Sequence, residues 1–218
     1  MTYNYYFDIA SIALSLFTVY HIVRKKGVGE KANNIYLMIV AVCMISAVSD
    51  IFSVVVAESR PDNFLLQDFW NYMFLGVHNA MPYLFILYIL NIFGISLSFA
   101  KGKHILIAAP YALDLLLLAS NGFMRWVFYY DFLGMYQHGP AFVVLYAVAI
   151  LYMVAAFSLV IKNRKIFPAD KRNSLLFFML MCCIPVVIQM FYPYLLIELF
   201  FQALGLLGML FNIENKDD

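Results

Sequence analysis

The sequence predicts an all-α protein: a bundle of seven transmembrane helices, N-terminus outside and C-terminus cytoplasmic, with a short extracellular β-hairpin between the fourth and fifth helices. Three observations predict it. The chain is 65% hydrophobic and 12% charged, with a mean hydropathy of +0.84, whereas a soluble domain is about 45–50% apolar and about a quarter charged. Its apolar residues form seven continuous runs near the roughly 20 residues that cross a bilayer, without the period-two alternation of barrel strands. Its basic residues alternate from loop to loop, as an odd number of spans requires.

The runs are Tyr5–Val23, Ile35–Ala57, Asp68–Phe93, Ile105–Ser120, Pro140–Ile161, Ser174–Phe191 and Tyr194–Asn212. The fourth is short and would thin the bilayer locally or draw in His104. The first is preceded by "MTYN", with no Lys or Arg, so it reads as a retained helix rather than a cleaved signal peptide. The loop "RKKGVGEKANN", the loop with Lys101 and Lys103, the loop "KNRKIFPADKRN" and the tail with Lys216 hold all but two of the 14 basic residues. Arg60 and Arg125 are the exceptions, and they mark the outer side. Cys43, Cys182 and Cys183 all lie in apolar runs, as packing residues do, and form no disulfide framework.

Polar residues inside the spans carry the functional information. A carboxylate at the bilayer centre costs about 2.5–3.5 kcal/mol on insertion scales, so each intramembrane acid is a functional hypothesis. Asp8, Asp50, Asp114 and Glu198 are such acids, joined by His78, Asn79, Gln189 and Gln202. With the helix directions set by the basic loops, all of them fall in the outer half. Ser46, Asp50 and Ser53 share a helix face, as do Asp8, Ser11 and Ser15, and Glu198, Gln202 and Gly205. Pro82 has no N–H for the carbonyl of His78, and Pro110 and Pro185 loosen the fourth and sixth spans. Two readings follow: a water-accessible cavity open to the outside, or interhelical hydrogen bonds that hold the bundle together. The absence of any intramembrane Lys or Arg to pair the acids favours the cavity, because unpaired acids need water, a cation or a proton.

His78 alone makes no zinc site, which wants three or four ligands at recognisable spacing, and no metal or cofactor is assigned. Help from carboxylates, or a proton-sensing His–Asp pair, are the alternatives for its imidazole. The connection "NGFMRWVFYYDFLGMYQHGP" places strand formers at Trp126, Val127, Phe128, Tyr129 and Tyr130, a turn at Gly134 and a return through Met135 and Tyr136. An aromatic lid of Trp126, Tyr129, Tyr130 and Tyr136 over the outer mouth and an interfacial aromatic belt fit it equally.

No Lys lies in any span to carry a retinal Schiff base, so the rhodopsin comparison fails on chemistry. No HExxH or nucleophile elbow supports a membrane enzyme. A small transporter, or a structural subunit with Gly205 and Gly208 as its small-residue face, remain as alternatives.

The stretches "YYFDIASIAL", "AVSDIFS", "WVFYYDFLGMYQHGPAFVVLYAVAILY" and "NIENKDD" resemble the seven-helix N-terminal sensory module of bacterial histidine kinases and GGDEF-type diguanylate cyclases. The resemblance implies a sensory domain over 1–213 in the bacterial inner membrane. Residues 214–218 would begin a cytoplasmic linker to an output domain, kinase or cyclase, outside this chain, and dimerisation would run through that domain. The expected partners are the lipid bilayer and a small extracellular ligand, with no nucleic acid. Four acids facing at most one imidazolium make a cationic or polyhydroxylated ligand the better fit than an anion.

Overall fold

The computed structural model describes residues 4–24, 31–95, 102–132, 134–165, 168–192 and 195–214. The spans appear as α1 (Tyr6–Arg24), α2 (Lys31–Ser59), α3 (Phe64–His78) with α4 (Ala80–Ile92), α5 (Lys103–Met124), α6 (Phe142–Lys162), α7 (Ala169–Phe191) and α8 (Glu198–Met209). Strands β1 (Phe128–Tyr130) and β2 (Tyr136–His138) lie between α5 and α6. Among the described residues six helical spans are long and apolar enough to cross a membrane, and Glu198–Ile213 is a shorter apolar one. The architecture is an all-α seven-span bundle.

The distribution of side chains is that of a protein in lipid. Phe17, Leu116, Val154 and Leu180 are exposed, whereas Asp8, Ser11, Ser15, Ser46, Asp114 and Gln202 are buried. Lipid solvates the apolar exterior, and the polar groups retreat to where protein groups can meet them.

Several span boundaries differ from those read from sequence. The fourth span is not short: α5 runs 22 residues, because Asn121, Gly122, Phe123 and Met124 continue the helix until Arg125 leaves it at φ 53. The third starts earlier, at Phe64, where Asn63 Oδ1 accepts from Leu66 N. It is interrupted at Asn79, three residues before Pro82, whose missing N–H would have served the His78 carbonyl. The seventh starts later: Leu195 to Ile197 are not helical, Leu195 forms an isolated bridge with Asn4, and the helix begins at Glu198. Its last turn, Leu210–Glu214, is π-helical. Pro193, Tyr194 and residues 215–218, where the corner and the linker were expected, lie outside the described residues.

The main core joins α2, α4, α7 and α8 around Tyr36, Phe85, Tyr88 and Phe178, each at most 1% exposed. Tyr36 packs against Tyr88 with the rings tilted at 45° and donates its hydroxyl to the Leu206 carbonyl at 2.5 Å. At Gly205 a Cβ would stand 2.9 Å from Phe178 Cδ2 and 3.3 Å from Phe178 Cα, so α7 and α8 touch nearly backbone to backbone. A Cβ at Gly208 would meet Phe177 Cε1 at 3.0 Å. The small-residue face that the structural-subunit reading needs is thus used inside this chain, against α7.

Near Pro110 the hydroxyl of Tyr152 is inserted into the α5 ladder: it donates to Ile107 O at 2.6 Å and accepts from Tyr111 N at 3.1 Å. Tyr111 in turn donates its hydroxyl to Gly76 O at 3.0 Å, near the α3–α4 interruption. Tyr83 stacks on the Tyr111 ring. Tyr152→Phe should therefore lower stability by about 1 kcal/mol, since it removes both bonds where α5 cannot replace them without straightening. Thermal unfolding in detergent reads it, and an unchanged midpoint would mean that the hydroxyl holds nothing.

Candidate ligand site beside the third and last helices

One end of the bundle collects the polar side chains. The start of α1 meets the residues before α8 through the Asn4–Leu195 bridge. The start of α3 meets the end of α5 through Arg125 Nη1, which donates to both Asp68 oxygens at 3.1 and 3.0 Å. The hairpin is at the same end, with Phe64 against Tyr130.

Beneath it, His78 Nε2 and Glu198 Oε1 stand 3.1 Å apart. The sequence places them there for local reasons. His78 is the last residue of α3, where the Pro82 effect stops the helix, and Glu198 is the first of α8, where a carboxylate suits the exposed N–H groups and positive end of the dipole. Phe74, one turn before His78, stacks on the imidazole at 5.2 Å and 14°. Gln202 Nε2 donates to the same Glu198 oxygen at 3.1 Å. Asp50 on α2 lies within electrostatic range of both His78 and Glu198, and its carbonyl accepts from Ser53 Oγ at 2.9 Å. Tyr146 on α6 is within the same range of Glu198. The His78 and Glu198 side chains retain 15% and 27% exposure.

Asp8 completes the acid set, within electrostatic range of Asp50 and Glu198, but it is fully buried and neither carboxylate oxygen has a hydrogen-bond partner among the described residues. Asn79 adjoins His78, its Nδ2 buried and unbonded. The other two predicted residues go elsewhere. Gln189 donates to Leu195 O at 2.9 Å and ties the end of α7 to the approach to α8. Asp114 sits on α5, which packs on α3, α4 and α6, and its electrostatic neighbours are Tyr111 and Tyr152. A cavity of about 420 Å³ between α3 and α5, lined by Tyr72, Gly76, Leu115, Leu118, Ala119 and Gly122, has none of the acids in its wall. Among the described residues no three His, Cys, Asp or Glu side chains gather as a metal would need.

The hairpin pairs Phe128 with His138, Tyr129 with Gln137 and Tyr130 with Tyr136. Against the sequence reading, β1 starts two residues later and ends at the same Tyr130, β2 starts one residue later and ends two later, and Gly134 turns between them at φ 75. Of the lid residues, Tyr130 Oη accepts from Asn71 Nδ2 at 3.1 Å, Trp126 Nε1 donates to Ser120 Oγ at 3.0 Å, Tyr136 stacks on Phe128, and Tyr129 is exposed. Burial pushes the Tyr130 phenol up and the His138 imidazole down from their ordinary ranges. The hairpin is seated on α3, α5 and α6, through Leu75, Leu118 and Leu145. Phe74 belongs both to this cluster and to the main core, and so connects the hairpin to His78.

Sequence reasoning missed Asn121, read as a loop residue. It is fully buried, and its Oδ1 accepts from Val127 N at 2.8 Å and Phe128 N at 3.2 Å while its Nδ2 donates to Phe128 O at 3.1 Å. It missed Phe74 too, although a ring one turn before an intramembrane His was a usable signal.

The N-terminal 7TM region of histidine kinase matches this chain over residues 8–213, which takes in every span and the His78–Glu198 pair. The chain belongs to this family. As a histidine-kinase 7TM region it is a transmembrane sensor module, a sensory rather than a catalytic part, and a multi-pass protein of the inner membrane. No curated protein and no solved structure matches the chain.

Proposed function

We propose that this module senses a small extracellular ligand, cationic or polyhydroxylated, at Glu198, His78 and Asp50, and passes the signal through α8 to a cytoplasmic histidine kinase domain. One observation carries the reading: Glu198 is both the first residue of the last helix and the partner of His78 at the interruption of the third span. A ligand amine or hydroxyl that takes the Glu198 carboxylate from His78 changes the force on α8, and a ligand shifts such an equilibrium by its differential affinity for the two packings. Gln202, Asn79 and Asp8 lie beside the pair, Asp114 and Gln189 stand apart from it, and the aromatic hairpin bears on the pair through Phe74.

The basic loops support an outside N-terminus and a cytoplasmic end for α8. The matched family favours a kinase over a diguanylate cyclase as output, with dimerisation through that output domain. Below the pair the bundle is closed by Tyr36, Phe85, Tyr88 and Phe178, which favours a receptor over a transporter.

Thermal-shift screening of the purified chain tests the reading. Amines or sugars that bind should raise the unfolding midpoint of the wild type by several degrees and lose this effect in both Asp50→Asn and Glu198→Gln. Stabilisation by simple anions instead, or hits that act equally on both variants, would leave the cluster a structural hydrogen-bond network.

A further inference from the structure

We propose that the seam between α1, α2 and α8 binds a monovalent metal cation of about sodium size on the Asp8 carboxylate. Ser11 sets the register of the seam: its Oγ is 3.6 Å from Cys43 Sγ and donates to Leu199 O at 3.0 Å. One turn toward the hairpin end from Ser11 is Asp8, and one turn toward the same end from Cys43 on the antiparallel α2 is Ser46. The carboxylate and this hydroxyl therefore come to the same level. Both residues are fully buried, and Asp8 Oδ1, Asp8 Oδ2 and Ser46 Oγ have no hydrogen-bond partner among the described residues. Gln202 Oε1, on α8, is in the same condition.

A buried carboxylate needs water, a cation or a proton, and α1, α2 and α8 bring no basic side chain to it. There is no Lys or Arg in α1 before Arg24, none between Lys31 and Arg60, and none between Arg172 and Lys216. The charged neighbours of Asp8 are the carboxylates Asp50 and Glu198, and the His78 imidazole is already on Glu198.

Burial bears on the size of the occupant: Asp8 is fully buried, which separates it from the partly exposed His78–Glu198 pair and suits a small ion better than an amine or a sugar. Chemistry decides its class. The free donors are all oxygen, the preference of hard cations. Calcium takes six to eight oxygens, usually with several carboxylates, yet no three acidic, His or Cys side chains gather here. One carboxylate with neutral hydroxyl and amide oxygens balances a single positive charge. Because Asp8 is on α1, Ser46 on α2 and Gln202 on α8, the ion would brace the three helices whatever the exposed pair binds.

The test compares sodium chloride with caesium chloride at equal ionic strength and fixed neutral pH, on the 218-residue chain in detergent. Sodium should raise the unfolding midpoint in a saturable way that the larger caesium does not reproduce. Asp8→Asn should abolish the sodium response. Ser46→Ala should require about tenfold more sodium, as loss of a supporting group at a metal site does. Equal midpoints in the two salts, or a sodium response retained in Asp8→Asn, would overturn the proposal. A midpoint that follows pH but not sodium would overturn it also, and assign Asp8 a proton. Should Asp8→Asn fail to fold, the wild-type comparison and Ser46→Ala decide.

Discussion

Gly139→Ala should destabilise the chain by about 3 kcal/mol or more, at the upper end of what overpacking costs. A Cβ at this position would stand 2.1 Å from Trp126 O, 2.4 Å from Trp126 C and 3.1 Å from Trp126 Cα. All three are backbone atoms, so no rotamer change relieves the contact. The only relief is to part the base of the hairpin, which breaks Gly139 N to Val127 O (2.7 Å) and Ala141 N to Trp126 O (2.9 Å) and pulls Phe128 away from Asn121. At about 2–4 °C per kcal/mol for a chain of this size, the midpoint in detergent should fall by roughly 6–12 °C. Gly134→Ala is the control. Its φ of +75 strains an Ala, but the space is open, with only the Phe64 ring at 3.8 Å, so it should cost about 1 kcal/mol. Equal losses at the two glycines would mean that the hairpin base is not closed as the structure has it.

The second large effect is at the His78–Glu198 pair. Glu198→Gln leaves the imidazole without its carboxylate, and His78→Ala leaves the carboxylate beside Asp50 and Asp8 at low dielectric. Breaking a buried pair from one side costs about 3–5 kcal/mol. With the two side chains at 15% and 27% exposure, the lower end of that range is expected for each variant. The double variant should be less damaged than the two losses added, with a coupling of about 1–3 kcal/mol. Thermal or denaturant unfolding of all four proteins reads the cycle. Additivity within about 0.5 kcal/mol would mean that the two groups do not depend on each other, and would remove the link through which α8 is proposed to feel the ligand.

The sequence by itself determined that this is a seven-span membrane protein, because continuous apolar runs and loop charges are one-dimensional properties that the bilayer reads directly. It also determined that α1, α2 and α8 carry their polar residues on one stripe each, since the spacing of Asp8, Ser11 and Ser15, or of Ser46, Asp50 and Ser53, follows from helix periodicity alone. The interruption of the third span was legible in Pro82, and the turn of the hairpin in Gly134.

Which stripes meet was decided only in three dimensions. Asp8, Asp50 and Glu198 come within electrostatic range of one another, while Asp114, equally polar in the sequence reading, has Tyr111 of its own helix and Tyr152 of α6 as neighbours. In a lipid-solvated bundle the outer faces are as apolar as the core, so hydrophobic periodicity gives little indication of which way a span is turned. Burial divided the acids further, leaving Glu198 partly exposed beside His78 and Asp8 fully buried. The late start of α8, which makes Glu198 a helix terminus, goes with the bridge from Leu195 to Asn4, a contact between segments far apart in the chain, and with the bond from Gln189, six residues before Leu195. Asn121 and Gly139 show the same limit at the hairpin: a buried amide and a missing side chain are required by backbone that approaches them only after α5, β1 and β2 have packed.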